Sequence, residues 1–97
     1  MLNPYIFQTG ETVVLSVIIK DSSGTPTDPG SVLVSISNPL GSVILSGSTM
    51  TKDSTGNYHY DFNTTGSSDA GRYTVTYQAI TGTRVALQKD SFYVEEI

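Results

Sequence analysis

The chain has 97 residues, 14% of them charged, and a formal net charge of -4. This length allows one domain with a single two-layer core, so residues 1–97 are predicted to form one domain. The five Lys and Arg residues are scattered along the sequence. Nucleic-acid binding needs basic side chains clustered on one surface, and we therefore expect no nucleic-acid partner.

The sequence contains no cysteine, which excludes disulfides and thiolate metal sites. No apolar run approaches the ~20 residues of a membrane-spanning helix, so no membrane span is predicted. The start, Met1-Leu2-Asn3-Pro4, lacks the basic and apolar regions of a signal peptide. We interpret the chain either as a domain cut from a longer protein or as a complete protein that needs no signal.

The first half of the chain predicts four strands. Tyr5–Phe7 is a short one, and Pro4 suits a sheet edge. Thr12–Lys20 is rich in β-branched residues, and its alternation places one set of side chains in the core. That set is Val13, Leu15, Val17 and Ile19. Two further strands are predicted around Val32–Ile36 and Val43–Leu45.

The second half predicts three more strands. Asn57–Phe62 alternates cleanly, with Tyr58, Tyr60 and Phe62 facing inward. After Gly66, a long alternating strand begins at Tyr73 and runs to Ile80, and a hairpin turn follows at Thr81–Thr83.

The last strand is predicted to be interrupted. Val85 and Leu87 share one parity, whereas Phe92 and Val94 share the other. Because side chains alternate between the faces of a strand, both sets cannot face one core. A β-bulge or break is therefore predicted near Lys89-Asp90.

The sequence Asp69-Ala70-Gly71-Arg72-Tyr73 resembles the tyrosine corner of immunoglobulin-like sandwiches. In that corner a Tyr near the start of a late strand hydrogen-bonds to the chain upstream of it. Tyr73 is predicted to take this role, with Val75, Tyr77 and Ala79 following it into the core. Seven strands with regular turn signals predict an all-β, seven-stranded antiparallel immunoglobulin-like β-sandwich without a disulfide.

The pattern departs from antibody domains at two core positions. The paired cysteines of those domains would fall at Val17 and Val75, and the chain has no Trp to pack on them. Apolar packing between Val17 and Val75, facing each other across the core, is predicted to replace the disulfide.

The chain also resembles the macroglobulin-type domains of the α2-macroglobulin and complement superfamily. Four motifs in order carry the resemblance: Phe7-Gln8-Thr9-Gly10-Glu11-Thr12-Val13, Asn38-Pro39-Leu40-Gly41, Gly71-Arg72-Tyr73 and Phe92-Tyr93-Val94-Glu95-Glu96. The resemblance implies a non-enzymatic structural or interaction module of a larger surface or secreted protein, with no cofactor and an extracellular or cell-surface location. A stand-alone phage virion, decoration or adhesion protein is the alternative, with the virion surface as its location.

Two pairs of polar residues suggest a third interpretation, an enzyme or a metal-binding domain. His59 and Asp61 share one face of a strand and could exchange a proton, but catalysis needs further groups. Asp21 and Asp28 lie in a loop with Ser and Thr oxygens, yet calcium prefers six to eight oxygens with several carboxylates. We interpret the first pair as outward surface residues and the second as turn formers.

An interaction surface is predicted on the outward face of the second strand. Val14 and Ile18 share that face, with the small Ser16 between them. Apolar side chains that cluster on a surface mark interfaces. We therefore expect face-to-face association through Val14 and Ile18, either with a neighbouring domain or other protein partner, or with a copy of the chain.

Overall fold

The computed structural model describes residues 6–64 and 69–95, which form eight strands. They are β1 (Ile6–Gln8), β2 (Thr12–Ile18), β3 (Ser31–Ser37), β4 (Val43–Thr49), β5 (Thr51–Ser54), β6 (Asn57–Asn63), β7 (Gly71–Thr81) and β8 (Arg84–Glu95). In these two ranges no helix is long and apolar enough to cross a membrane. The predictions made for Pro4, Tyr5, Gly66 and Glu96 lie outside the described residues.

The strands form two sheets of unequal size. The large sheet has the order β1-β8-β7-β3-β4, and the small sheet has the order β2-β6-β5. Every pair is antiparallel except β1 with β8, which run parallel. The predicted all-β immunoglobulin-like sandwich is confirmed, with eight strands in place of seven.

The core lies between the two sheets and follows the predicted alternation. On β2 the odd residues from Val13 to Val17 are buried and the even ones are exposed. On β7 Tyr73, Val75 and Tyr77 are buried. The buried apolar cluster comprises Val13, Leu15, Val17, Val32, Val34, Ile36, Met50, Tyr58, Tyr73, Val75, Tyr77, Phe92 and Val94. Removal of these side chains from water is the main favourable contribution to folding.

The additional strand arises where the chain changes sheets. β4 pairs with β3 in the large sheet, and β5 pairs with β6 in the small sheet. Only Met50 separates β4 from β5, and its side chain is buried while its N–H donates to the Val32 carbonyl at 2.9 Å. The predicted strand at Val43–Leu45 is therefore the start of a longer one.

The predicted bulge near Lys89-Asp90 is wrong. β8 pairs with β7 in one unbroken register, from Gly71 opposite Val94 to Thr81 opposite Arg84. Phe92 and Val94 face the core, while Val85 and Leu87 point outward and are 54% and 65% exposed. The two apolar sets lie on opposite faces of a regular strand, so no bulge is needed to reconcile them.

Candidate interaction surfaces

The corner at Tyr73 fixes the start of β7. The Tyr73 hydroxyl donates a hydrogen bond to the Asp69 carbonyl at 2.7 Å. The Tyr73 ring stacks on Phe92, with ring centroids 5.0 Å apart and planes inclined by 7°. Burial raises the pKa of Tyr73, and the nearby negative charge of Asp69 adds to this effect.

Gly71 is needed within this corner for two reasons. Its φ is +132°, a region that side-chain-bearing residues rarely adopt. A Cβ at this position would also lie 2.9 Å from Pro39 Cβ. The hydrogen bond between Tyr73 and Asp69 and the close approach of Gly71 to Pro39 therefore both act at the start of β7.

The two core valines lie on opposite sheets. Val17 belongs to β2 of the small sheet and is 6% exposed, whereas Val75 belongs to β7 of the large sheet and is fully buried. Both belong to the same apolar cluster. Direct packing of one on the other stays a prediction.

Val14 and Ile18 lie on the outer face of the small sheet. They are 57% and 56% exposed and flank Ser16. On the neighbouring strand β6 they are paired with Asp61 and Asn57, and His59 is paired with Ser16. The outer face thus carries two exposed apolar side chains on β2 beside the polar strand β6. Its role in association stays a prediction.

His59 bonds to a different carboxylate from the one considered in the sequence. His59 Nδ1 lies 2.7 Å from Asp53 Oδ1 on the adjacent strand β5. Asp61 lies on the same outward face of β6 as His59, but its cross-strand neighbour is Val14 of β2. The contact with Asp53 was not predicted, because it depends on the β5–β6 register, which shifts between Lys52 and Ser54.

Asp28 connects the long loop after β2 to the small sheet. Its carboxylate accepts hydrogen bonds from Lys52 Nζ at 2.7 Å, from Gly56 N–H at 2.9 Å and from the Tyr58 hydroxyl at 3.1 Å. The hydrogen bonds from Lys52 and Gly56 lower the pKa of Asp28. Asp21, the other calcium candidate, accepts from the N–H groups of Ser23 and Thr25. Both carboxylates therefore order the loop.

An open groove runs along the β2 side of the sandwich and was not predicted from the sequence. We call it the β2–β8 groove; it lies between β2 with the residues after it, 13–20, and the facing part of β8, residues 84–92. It comprises three adjoining clefts of about 250, 170 and 410 Å³ from the Val13 end to the Lys20 end. Tyr77 and Ala79 of β7 form its inner wall.

The groove exists because the sheets differ in width. Ala86, Gln88 and Asp90 have the same parity as Phe92 and face the side of the small sheet, yet all three are exposed. In the described part of the chain no strand lies next to β2 on the side away from β6. The small sheet therefore does not cover the inward face of the first half of β8.

The architecture is similar to a known domain. The crystal structure of the Lin-41 filamin domain aligns with 94% of this chain and 83% of that chain, with a TM-score of 0.66 and 19% sequence identity. This chain has a filamin-type immunoglobulin-like fold. Comparison with protein-family models and with curated proteins gave no match. The narrower resemblance to macroglobulin-type domains stays a prediction.

Proposed function

We propose that this chain is a non-enzymatic module that serves as a scaffold or binds a protein partner. The observation that carries the proposal is the exposed apolar pair Val14 and Ile18 on the outer face of the small sheet. The immunoglobulin-like fold supports it, because each sheet of a sandwich has one face outside the core, where a neighbour can pack.

The polar residues of the molecule also support this reading over catalysis. His59 is bonded to Asp53, and Asp28 is bonded to Lys52, Gly56 and Tyr58. These groups order strands and loops. A macroglobulin-like scaffold domain of a surface or secreted protein is the setting that we propose, and this setting rests on the resemblance of the four sequence motifs alone.

The test is a double substitution on the outer face, Val14→Asp with Ile18→Lys. Neither side chain belongs to the buried cluster, so the variant should keep the circular dichroism of the parent and unfold cooperatively. Its unfolding temperature should be slightly lower, because Val14→Asp places a carboxylate opposite Asp61. If the parent self-associates in light scattering, or binds a neighbouring domain, the variant should lose that association.

A matched control makes the same chemical change at another exposed apolar pair. Leu40 and Val43 are 80% and 62% exposed and belong to the β3–β4 region of the large sheet. Leu40→Lys with Val43→Asp should therefore leave the association unchanged. A Val14/Ile18 variant that unfolds, or that associates like the parent, would contradict the proposal.

A further inference from the structure

The backbone of β2 has one free hydrogen-bonding edge. The Glu11 carbonyl accepts from Thr64 N–H, and Ile19 N–H donates to the Gly56 carbonyl, so the odd residues of this stretch bond toward β6. In an antiparallel ladder this orientation alternates along the strand. The N–H and C=O groups of Val14, Ser16 and Ile18 therefore point to the opposite edge, where the described residues place no strand.

This edge lacks the features by which proteins usually block strand pairing. β2 reads TVVLSVI over seven residues, with no charge and no proline. Its register with β6 is continuous from Thr12 to Ile18, so no bulge twists the edge away. An uncharged, regular edge strand is a template for another extended chain.

The floor of the β2–β8 groove offers space for the side chains of such a chain. Ala86 and Gln88 lie at its centre, and Ala79 lies beside them. These are small or flexible side chains, so alternate residues of an added strand can point down onto them. Arg84 lies at one end of this row with Lys20 nearby, and Asp90 lies at the other. The carboxylates of Asp21 and Asp28 also line the Lys20 end, but Asp28 is paired with Lys52 and Asp21 accepts hydrogen bonds from its own loop.

We propose that the β2–β8 groove binds an extended segment of a partner protein, which adds to β2 as an antiparallel strand. The inward side chains of the segment are acidic at its N-terminal end, apolar in the middle and basic at its C-terminal end. This order follows from the groove, because an antiparallel strand would begin beside Lys20 and Arg84 and end beside Asp90. The main-chain hydrogen bonds would supply affinity, and the alternate side chains would supply specificity.

A second copy of the whole chain fits this edge less well than a single strand. β8 faces β2 across the groove, and β1 is paired with β8. Two β2 edges brought together would therefore carry both copies of β8 into the same space. A lone extended segment occupies only the uncovered floor.

This inference rests on the proposed function as an interaction module but concerns a different surface. The outer-face test depends on the side chains of Val14 and Ile18, whereas strand addition depends on the backbone edge and the groove floor. Failure of the outer-face contact leaves the edge available, and failure of strand addition leaves the outer-face contact in place.

The test uses the synthetic peptide acetyl-Glu-Thr-Val-Thr-Val-Thr-Lys-amide as the probe and the ¹⁵N-labelled chain as the target. The peptide places Glu, two Val and Lys on one face, in the order that the groove requires. We expect amide shifts centred on Val14, Ser16 and Ile18. A peptide with its two charged ends exchanged should bind about threefold more weakly or worse, since exposed ion pairs have modest strength.

Two variants of the chain block the groove in independent ways. Ser16→Pro removes an edge N–H that β6 does not use, so the β2–β6 ladder is kept and peptide binding should be lost. Ser16→Thr keeps that N–H and should bind like the parent. Ala86→Trp fills the floor without changing β2, and it should abolish binding even where Ser16→Pro impairs folding.

Four outcomes would overturn the proposal. The first is no shift at these amides with the peptide in the millimolar range, and the second is a shift centred on the amides of Leu40 and Val43, which lie outside the groove. The third is a concentration-dependent shift of the same amides without peptide that persists in the Val14/Ile18 double variant, which would assign the edge to a second copy. The fourth is slow hydrogen exchange of these amides in the free protein, which would assign the edge to the chain itself.

Discussion

At the scale of single residues, the Tyr73 hydroxyl is the group whose removal has the clearest expected cost. Its ring is 2% exposed and its hydroxyl bonds to the Asp69 carbonyl. Tyr73→Phe keeps the ring stacked on Phe92 and leaves that carbonyl without its donor, so the free energy of unfolding should fall by ~1–3 kcal/mol. Urea denaturation measures this. Tyr93→Phe, at a 46% exposed position, is the control, and a Tyr73→Phe protein as stable as the parent would rule out a structural role for the bond.

A second residue-scale prediction concerns alkaline pH. Burial raises the pKa of Tyr77 from 10.0 to about 12, and the nearby carboxylate of Asp90 adds to the shift. Between these values the folded state keeps a proton that the unfolded state has lost, so the free energy of unfolding falls as pH rises. Tyr77→Phe should therefore make this decline shallower between about pH 10 and about pH 12. Urea denaturation at several alkaline pH values measures the slope, and an unchanged slope would contradict the assignment.

At the scale of strands, the alternation of side chains along the sequence predicted which of them face the core. β2, β6 and β7 each have one face packed on the core, and their inward residues were predicted correctly except for Ala79, which lines the open groove. The inward face of β8 was not predicted correctly, because the predicted bulge assumed that every apolar side chain of the strand faces the core. Val85 and Leu87 are exposed on a regular strand, and the inward residues beside them are Ala, Gln and Asp.

The β4–β5 segment shows a second limit of sequence patterns. β5 reads TKDS and is exposed at every residue, so it has no apolar alternation that could reveal a strand. Backbone pairing with β6 makes it a strand, and this pairing has no signature in the side chains. The same pairing places Asp53 beside His59, a contact that the sequence could not indicate.

At the scale of the whole molecule, the sequence predicted a sandwich but not the widths of its sheets. Strand number and turn spacing favour two packed sheets, whereas the assignment of each strand to a sheet depends on long-range pairing. Five strands on one side and three on the other leave part of β8 uncovered. The β2–β8 groove is a consequence of that inequality, so it became visible only in three dimensions. The Val14 and Ile18 face needs only the alternation of β2 and could be predicted directly.

The unequal sheets also predict that the two core valines contribute differently to stability. Truncating either Val17 or Val75 to Ala removes buried methyl groups and leaves a cavity, so each should lower the free energy of unfolding by more than ~1 kcal/mol. Val75 is fully buried at the centre of the large sheet, whereas Val17 lines the open groove. Water and neighbouring side chains can enter a space beside the groove more easily than a closed one, and the Val75 substitution should therefore cost more. Urea denaturation of both variants and of Val14→Ala, as the exposed control, measures the difference. A larger loss at Val17 than at Val75 would mean that the groove is closed in solution and that β2 is packed as tightly as the centre of the sandwich.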